Sequence, residues 1–166
     1  ASDVYKRQFI NKIGEKMKIN QKEFDSQCCH IMGILNVTPD SFSDGGKWNQ
    51  MDRALLHTEE MIRDGAEIID IGGESTRPGY QKYQKVTEDE EIERVVPYIR
   101  AVREKFNIPV SIDTYKAKVA RAAVEAGAGL INDIWGFKGD PKMAETAAAL
   151  RVPCLSLIHI SEPTRL

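Results

Sequence analysis

Four polar groups stand where apolar runs of this chain end: Asn36, the cluster Glu74-Ser75-Thr76-Arg77, Asp113, and the pair Asn132-Asp133. A carboxylate and a primary amide, Asp113 and Asn132, suit a neutral heterocycle that carries amino and ring N–H groups. The carboxylate accepts from two donors, while the amide both donates and accepts. Arg77 can meet an anion or form a surface ion pair. Asn36 offers a carbonyl oxygen, which suits Mg²⁺ beside phosphate oxygens or a cap on its own loop. Any one of these groups alone is what begins an ordinary loop. Four at the ends of parallel strands would share one face, and that face is where α/β proteins bind ligands. The chain has no G-x-G-x-x-G or P-loop spacing and no usable Ser-His-Asp order. His30 precedes a strand, His57 falls within a helix and His159 lies near the C-terminus, so each reads as structural or solvated.

The elements that would position these groups repeat one unit: an apolar strand, a polar loop and an amphipathic returning helix. The first strand reads as Ile31 to Val37. A helix follows over Asp52 to Asp64, with Leu55, Thr58, Met61 and Ile62 on one face and Gly65 as its stop. Glu67 to Ile71 reads as a strand closed by Gly72-Gly73, before a long loop from Glu74 to Val86. Thr87 and Glu90 have capping-box spacing, and Ile92, Val95, Val96, Ile99 and Val102 continue a helical stripe. Pro97 within that stripe predicts a kink or a break. Pro109 to Ile112 is the next strand, Lys116 to Ala126 a helix stopped by Gly127, and Gly129 to Ile131 a strand. A helix opens near Asp140-Pro141 and ends near Leu150, before a strand over Val152 to Leu157. Such alternation implies parallel strands with right-handed crossovers. Two architectures satisfy it. One is a (β/α)8 barrel, which takes about 250 residues. The other is an open parallel α/β sheet, which five strands complete.

The chain has 166 residues, 42% hydrophobic and 29% charged, so a packed core is expected. Its net charge of −2 gives no general attraction to nucleic acid or to an anionic membrane. No apolar run approaches the roughly 20 residues of a membrane span, and the start of the chain lacks a signal-peptide pattern, so a cytoplasmic location is expected. Cys28, Cys29 and Cys154 are an odd number with two adjacent, which points to reduced thiols rather than a disulfide framework.

Two segments carry a resemblance. Ile34 to Gly46, ILNVTPDSFSDGG, and Gly65 to Gly79, GAEIIDIGGESTRPG, resemble the two signature segments of the dihydropteroate synthase family. Ile108 to Lys116, IPVSIDTYK, and Gly129 to Gly136, GLINDIWG, are similar to its next two strand ends. The similarity runs over about Ile31 to Leu155. It implies a partial (β/α)8 barrel, about the first four to five units. It also implies condensation of 4-aminobenzoate with 6-hydroxymethyl-7,8-dihydropterin diphosphate, giving 7,8-dihydropteroate and diphosphate in folate synthesis. Carried onto this sequence, Asp113, Asn132 and Thr76 would bind the pterin. Phe42, Thr76, Arg77 and Pro78 would form the 4-aminobenzoate pocket, where sulfonamides compete. Asn36 would reach the Mg²⁺ that accompanies the diphosphate.

The partners implied are these small molecules, with no nucleic acid and no membrane; a homodimer is the parent arrangement to test. Three other readings compete. A pterin-binding methyltransferase would share the strand-end Asp and Asn but not the loop Thr38 to Gly46. A pterin-binding fragment without catalysis would bind ligand and make no product. A phosphate-binding open sheet would carry helices on both faces. Residues 1–30 read as an N-terminal extension whose first residues have no pattern leading into the rest, and residues 156–166 as a tail. Both ends are expected to be flanking sequence. The family's second half-site, a further Asp, a Lys, and a late Arg and His, has no counterpart here. The chain alone is therefore expected to be unstable or aggregating and without appreciable turnover.

Overall fold

The apolar runs form strands and the amphipathic stripes form helices, as their periods require. The structure is a computed structural model and describes residues 5–6, 16–25, 27–38, 47–74 and 86–156. Side chains are described for these residues except 5–6 and 47–49. The described elements are strands β1 (Tyr5–Lys6), β2 (Met17–Ile19), β3 (Lys22–Phe24) and β4 (Ile31–Asn36), then helix α1 (Lys47–Arg63) and strand β5 (Ile68–Gly72). They continue as α2 (Glu88–Lys105), β6 (Val110–Asp113), α3 (Ala117–Glu125), β7 (Leu130–Asp133), α4 (Met143–Leu150) and β8 (Cys154–Ser156).

Strands β4, β5, β6, β7 and β8 lie side by side in chain order and pair in parallel, with β1 antiparallel on the β4 edge. This is the strand order of a partial (β/α)8 barrel, and the open sheet with its strand-order reversal is not what forms. Alternation along each strand divides the sheet. Leu35, Ile69, Ile71, Val110, Ile112 and Ile131 turn outward to the helices, where Val95, Ile99, Val102, Val119, Ala120 and Met143 cover them. Burying each such Ile or Val side chain contributes about 1.5–3 kcal/mol. Met32, Ile68 and Leu130 turn the other way, and there Ile19 and Phe24 of the β2–β3 hairpin pack on them.

That hairpin is not anticipated by the sequence, which assigns residues 1–30 to an extension. Its strands are three residues each and half polar. Asn20 takes the left-handed conformation its tight turn needs (φ 51°) and anchors the hairpin to the sheet. Its Oδ1 accepts from Val110 N (3.2 Å) and its Nδ2 donates to Gly127 O (3.1 Å).

Helix α1 starts at Lys47 rather than Asp52. Trp48 and Met51 extend the apolar period of Leu55, a signal obscured by the polar residues among them. Its buried line is Ala54, Thr58 and Met61, with Leu55 and Ile62 on the flank. Thr58 is accommodated because its Oγ1 donates to Ala54 O (2.8 Å). Helix α2 has the expected capping box: Glu90 N donates to Thr87 Oγ1 (3.3 Å) and Thr87 N to Glu90 Oε2 (2.9 Å). It runs unbroken through Pro97. Val95, Ile99 and Val102, all at 0% exposure, hold both sides of the proline on the sheet. Gly65 and Gly127, at φ 103° and 118°, stop α1 and α3 in the backbone region that glycine adopts without strain. Among the described residues no helix is long and apolar enough to cross a membrane. Cys28, Cys29 and Cys154 are free and exposed.

Candidate active site

Parallel pairing brings the strand ends into one row. Asn36 pairs with Gly72, Gly72 with Asp113, and Asp113 with Asn132. Their side chains share the inner face. A Cβ placed on Gly72 would lie 3.6 Å from Asn36 Oδ1, 3.6 Å from Asp113 Cβ and 3.8 Å from Asp113 Oδ2. Gly72 thus leaves a gap flanked by an amide and a carboxylate. Burial rises along the row: Asn36 is exposed, Asp113 half-buried and Asn132 at 0% exposure.

One position below Gly72 on the same face is Asp70, which the sequence reading passed over. It is 1% exposed, and its Oδ2 accepts from Asn132 Nδ2 at 2.7 Å. This bond fixes which way round the Asn132 amide sits. The available signal was a carboxylate within the apolar run Ile68–Gly72. Asp133, grouped with Asn132 in the sequence, serves the loop instead. Its two oxygens accept from Trp135 N (2.8 Å) and Phe137 N (3.0 Å). Asp140 accepts from Lys142 N ahead of α4 and from Ala117 N at the start of α3, so it ties two helix starts together.

Lys116 was also passed over, although it closes the quoted segment IPVSIDTYK. Its ammonium is buried and donates to Glu74 Oε2 and Glu91 Oε2, each at 2.6 Å, and to Val86 O at 2.7 Å. Burial by itself lowers a lysine pKa, but the bonds to Glu74 and Glu91 overcome that and hold Lys116 above the ordinary value. Of the three histidines, His159 lies outside the described residues. His30 bridges Glu67 Oε1 (3.1 Å) and Asp25 O (3.0 Å), and His57 lies on the exposed side of α1 beside Glu60.

The structure therefore brings Asn36, Asp113 and Asn132 together. Phe42, Thr76, Arg77 and Pro78 lie outside the described residues. Among the described residues no group of three or more His, Cys, Asp and Glu side chains is placed to hold a metal. Asn36 supplies a single hard oxygen on the exposed side of the row, a donor set that fits Mg²⁺ when water and phosphate oxygens complete the shell.

The row of amide and carboxylate stands at the carboxyl ends of parallel strands, the edge where α/β folds bind ligands. A profile of the family described as pterin binding enzyme matches residues 32–165. The chain belongs to the pterin-binding enzyme family. Within it, the chain is 63% identical over 149 residues to the dihydropteroate synthase of Clostridium beijerinckii, covering 89% of this chain and 54% of that protein. The Xanthomonas albilineans dihydropteroate synthase solved with 4-aminobenzoic acid superposes with a TM-score of 0.78 at 40% identity, covering 91% of this chain and 54% of that one. The same enzyme solved with 7,8-dihydropteroate gives 0.63 at 42% identity, over 74% and 43% of the two chains. The chain spans about half the length of the curated relatives it matches.

Proposed function

We propose that this pterin-binding chain carries the first half-site of a dihydropteroate synthase. The reaction joins 6-hydroxymethyl-7,8-dihydropterin diphosphate to 4-aminobenzoate and releases diphosphate. The observation that carries the reading is the row Asn36–Gly72–Asp113–Asn132, whose polar side chains go from exposed at Asn36 to fully buried at Asn132, in a chain of this family. The flat ring takes the buried end. There the Asp113 carboxylate accepts from ring N–H and amino donors, and the Asn132 amide, oriented by Asp70, recognises the ring edge. The diphosphate takes the exposed end beside Asn36. Asn36 is the residue that would hold Mg²⁺ there, and the ion would supply positive charge for the departing diphosphate.

With the ring held by the row, the exocyclic methylene faces the rim; the C–O bond to diphosphate breaks first and leaves a cation-like methylene, which the amine of 4-aminobenzoate then attacks as it gives up a proton. Gly72 gives the ring face room to approach the strand. Phe42, Thr76, Arg77 and Pro78 are the residues proposed for the 4-aminobenzoate pocket, and sulfonamides would compete there. A cytoplasmic location agrees with three free thiols.

The test is turnover. Residues 1–155, continued to barrel length with the second half of the Clostridium beijerinckii synthase, should form dihydropteroate from the two substrates with Mg²⁺. Pterin binding without product would favour a non-catalytic module. Methyl transfer from a methylated folate would favour the methyltransferase reading. Absence of any pterin binding would sink the assignment.

A further inference from the structure

Asp70 and Asn132 are bonded, yet they stand on strands that are not neighbours. β6 runs between β5 and β7, and its residue level with Asp70 is Ser111, itself paired with Leu130 of β7. Paired strands lie about 4.8 Å apart, so the two side chains reach towards each other across roughly 10 Å of sheet. The bond from Asn132 Nδ2 to Asp70 Oδ2 (2.7 Å) is therefore a bridge over β6. Ser111 comes two residues before Asp113 and shares its inner face, so the bridge passes over a short side chain. All three residues are sealed, with Asp70 at 1% exposure and Ser111 and Asn132 at 0%. The Ser111 hydroxyl has no hydrogen-bond partner among the described residues. What position 111 supplies to the bridge is small size.

The bridge also has a polarity. An ionised carboxylate only accepts, so the NH2 of Asn132 faces Asp70 and the amide oxygen turns away from it. Turning the amide over would set two buried acceptors against each other, an arrangement that leaves both unsatisfied. The amide is thus held in the setting that offers a ligand its oxygen, next to the Asp113 carboxylate that pairs with it in register. Two neighbouring acceptors suit a ring edge that carries donors and oppose one that carries a carbonyl. We propose that Asp70 is a positioning residue for specificity: through the bridge over Ser111 it fixes Asn132 as an acceptor, so the site takes rings with an amino group at that edge and turns away their oxo analogues. This rests on the synthase reading above for what the row holds, and on the hydrogen bond for how the amide is held.

Two variants and one further measurement test it. Asp70→Asn supplies a partner that can donate or accept, so the two facing amides can turn over together. Ser111→Val keeps the carboxylate and adds a methyl beneath the bridge. The probes are 6-hydroxymethylpterin and its 2-oxo counterpart, in which a carbonyl replaces the amino group, titrated calorimetrically into the barrel-length chain. The unsubstituted chain should prefer the amino compound by about a hundredfold or more, and each folded variant should cut that preference about tenfold. An unchanged preference overturns the proposal, and so does an equal loss of affinity for both compounds, which is what a merely structural role would give. If neither variant folds, side-chain hydrogen exchange in the unsubstituted 166-residue chain decides. The Asn132 amide should exchange about tenfold or more slowly than that of the exposed Asn107, and equal rates overturn the bridge. If the unsubstituted barrel-length chain binds neither compound, the synthase reading has failed, while the exchange rates still decide whether the amide is held.

Discussion

Gly72 and Gly73 are adjacent, and the structure assigns them opposite responses to the same substitution. Gly72 faces the inner row. A methyl there meets Asn36 Oδ1 and Asp113 Cβ at 3.6 Å, ordinary contact distances, so the strand accepts alanine without moving. Replacing glycine where the backbone permits it restricts the unfolded chain and stabilises by about 0.4–1 kcal/mol. For a domain of this size that is a rise of roughly 1–4 °C in Tm. The same methyl fills the gap on which the ring would lie. Forcing a ligand off by a methyl in a well-packed site costs about 1–3 kcal/mol, or roughly fivefold to 150-fold in Kd. Gly73 faces outward. Its added methyl would sit 2.8 Å from Val95 Cγ1 and 3.0 Å from Glu91 Cγ, both on a fully packed helix. Overpacking of that kind costs about 1–3 kcal/mol and lowers Tm by several degrees. Thermal unfolding and calorimetry with the pterin diphosphate, on the barrel-length chain, separate the two. The expected pattern is Gly72→Ala stable but binding-impaired, and Gly73→Ala destabilised. Wild-type binding by Gly72→Ala would refute the placement of the ring over the row.

Asp113→Asn exchanges an ionic acceptor for a mixed donor and acceptor, and should weaken pterin affinity by about 1–3 kcal/mol in calorimetry with little change in Tm. Asn36→Ala should raise the Mg²⁺ concentration needed for half-maximal turnover and leave binding of the diphosphate-free pterin unchanged. Thr76→Ala should raise the KM for 4-aminobenzoate more than that for the pterin diphosphate in steady-state assays. Burial works to raise the Glu67 pKa, but hydrogen bonds from His30 and Lys22 prevail and lower it. Glu67 therefore adds stability above the usual glutamate range, and that increment disappears as pH falls through its lowered value. In urea titrations the wild-type chain should exceed Glu67→Gln near neutrality, with the gap closing under acid conditions.

The parts of the fold legible in the sequence were those with long, regular periods. The strands that carry Asn36, Asp113 and Asn132 near their carboxyl ends and the Thr87 capping box stand where the pattern put them, because apolar runs and caps act locally. The choice of barrel over open sheet was not legible in periodicity, since both are built from the same unit; strand order decides it. The β2–β3 hairpin escaped notice because its strands are short and its main anchor, Asn20, acts across 90 residues on Val110. At the site, strand-end residues were readable because a polar side chain after an apolar run is conspicuous. Asp70 and Lys116 were not, because each has meaning only through partners distant in sequence: Asn132 for one, Glu74 and Glu91 for the other.

The hairpin that seats Ile19 and Phe24 against Met32, Ile68 and Leu130 keeps one end of the inner sheet face dry. Stripping it away would wet three strand-borne side chains at once, so a version trimmed at residue 30 surrenders part of its interior rather than a spare tail.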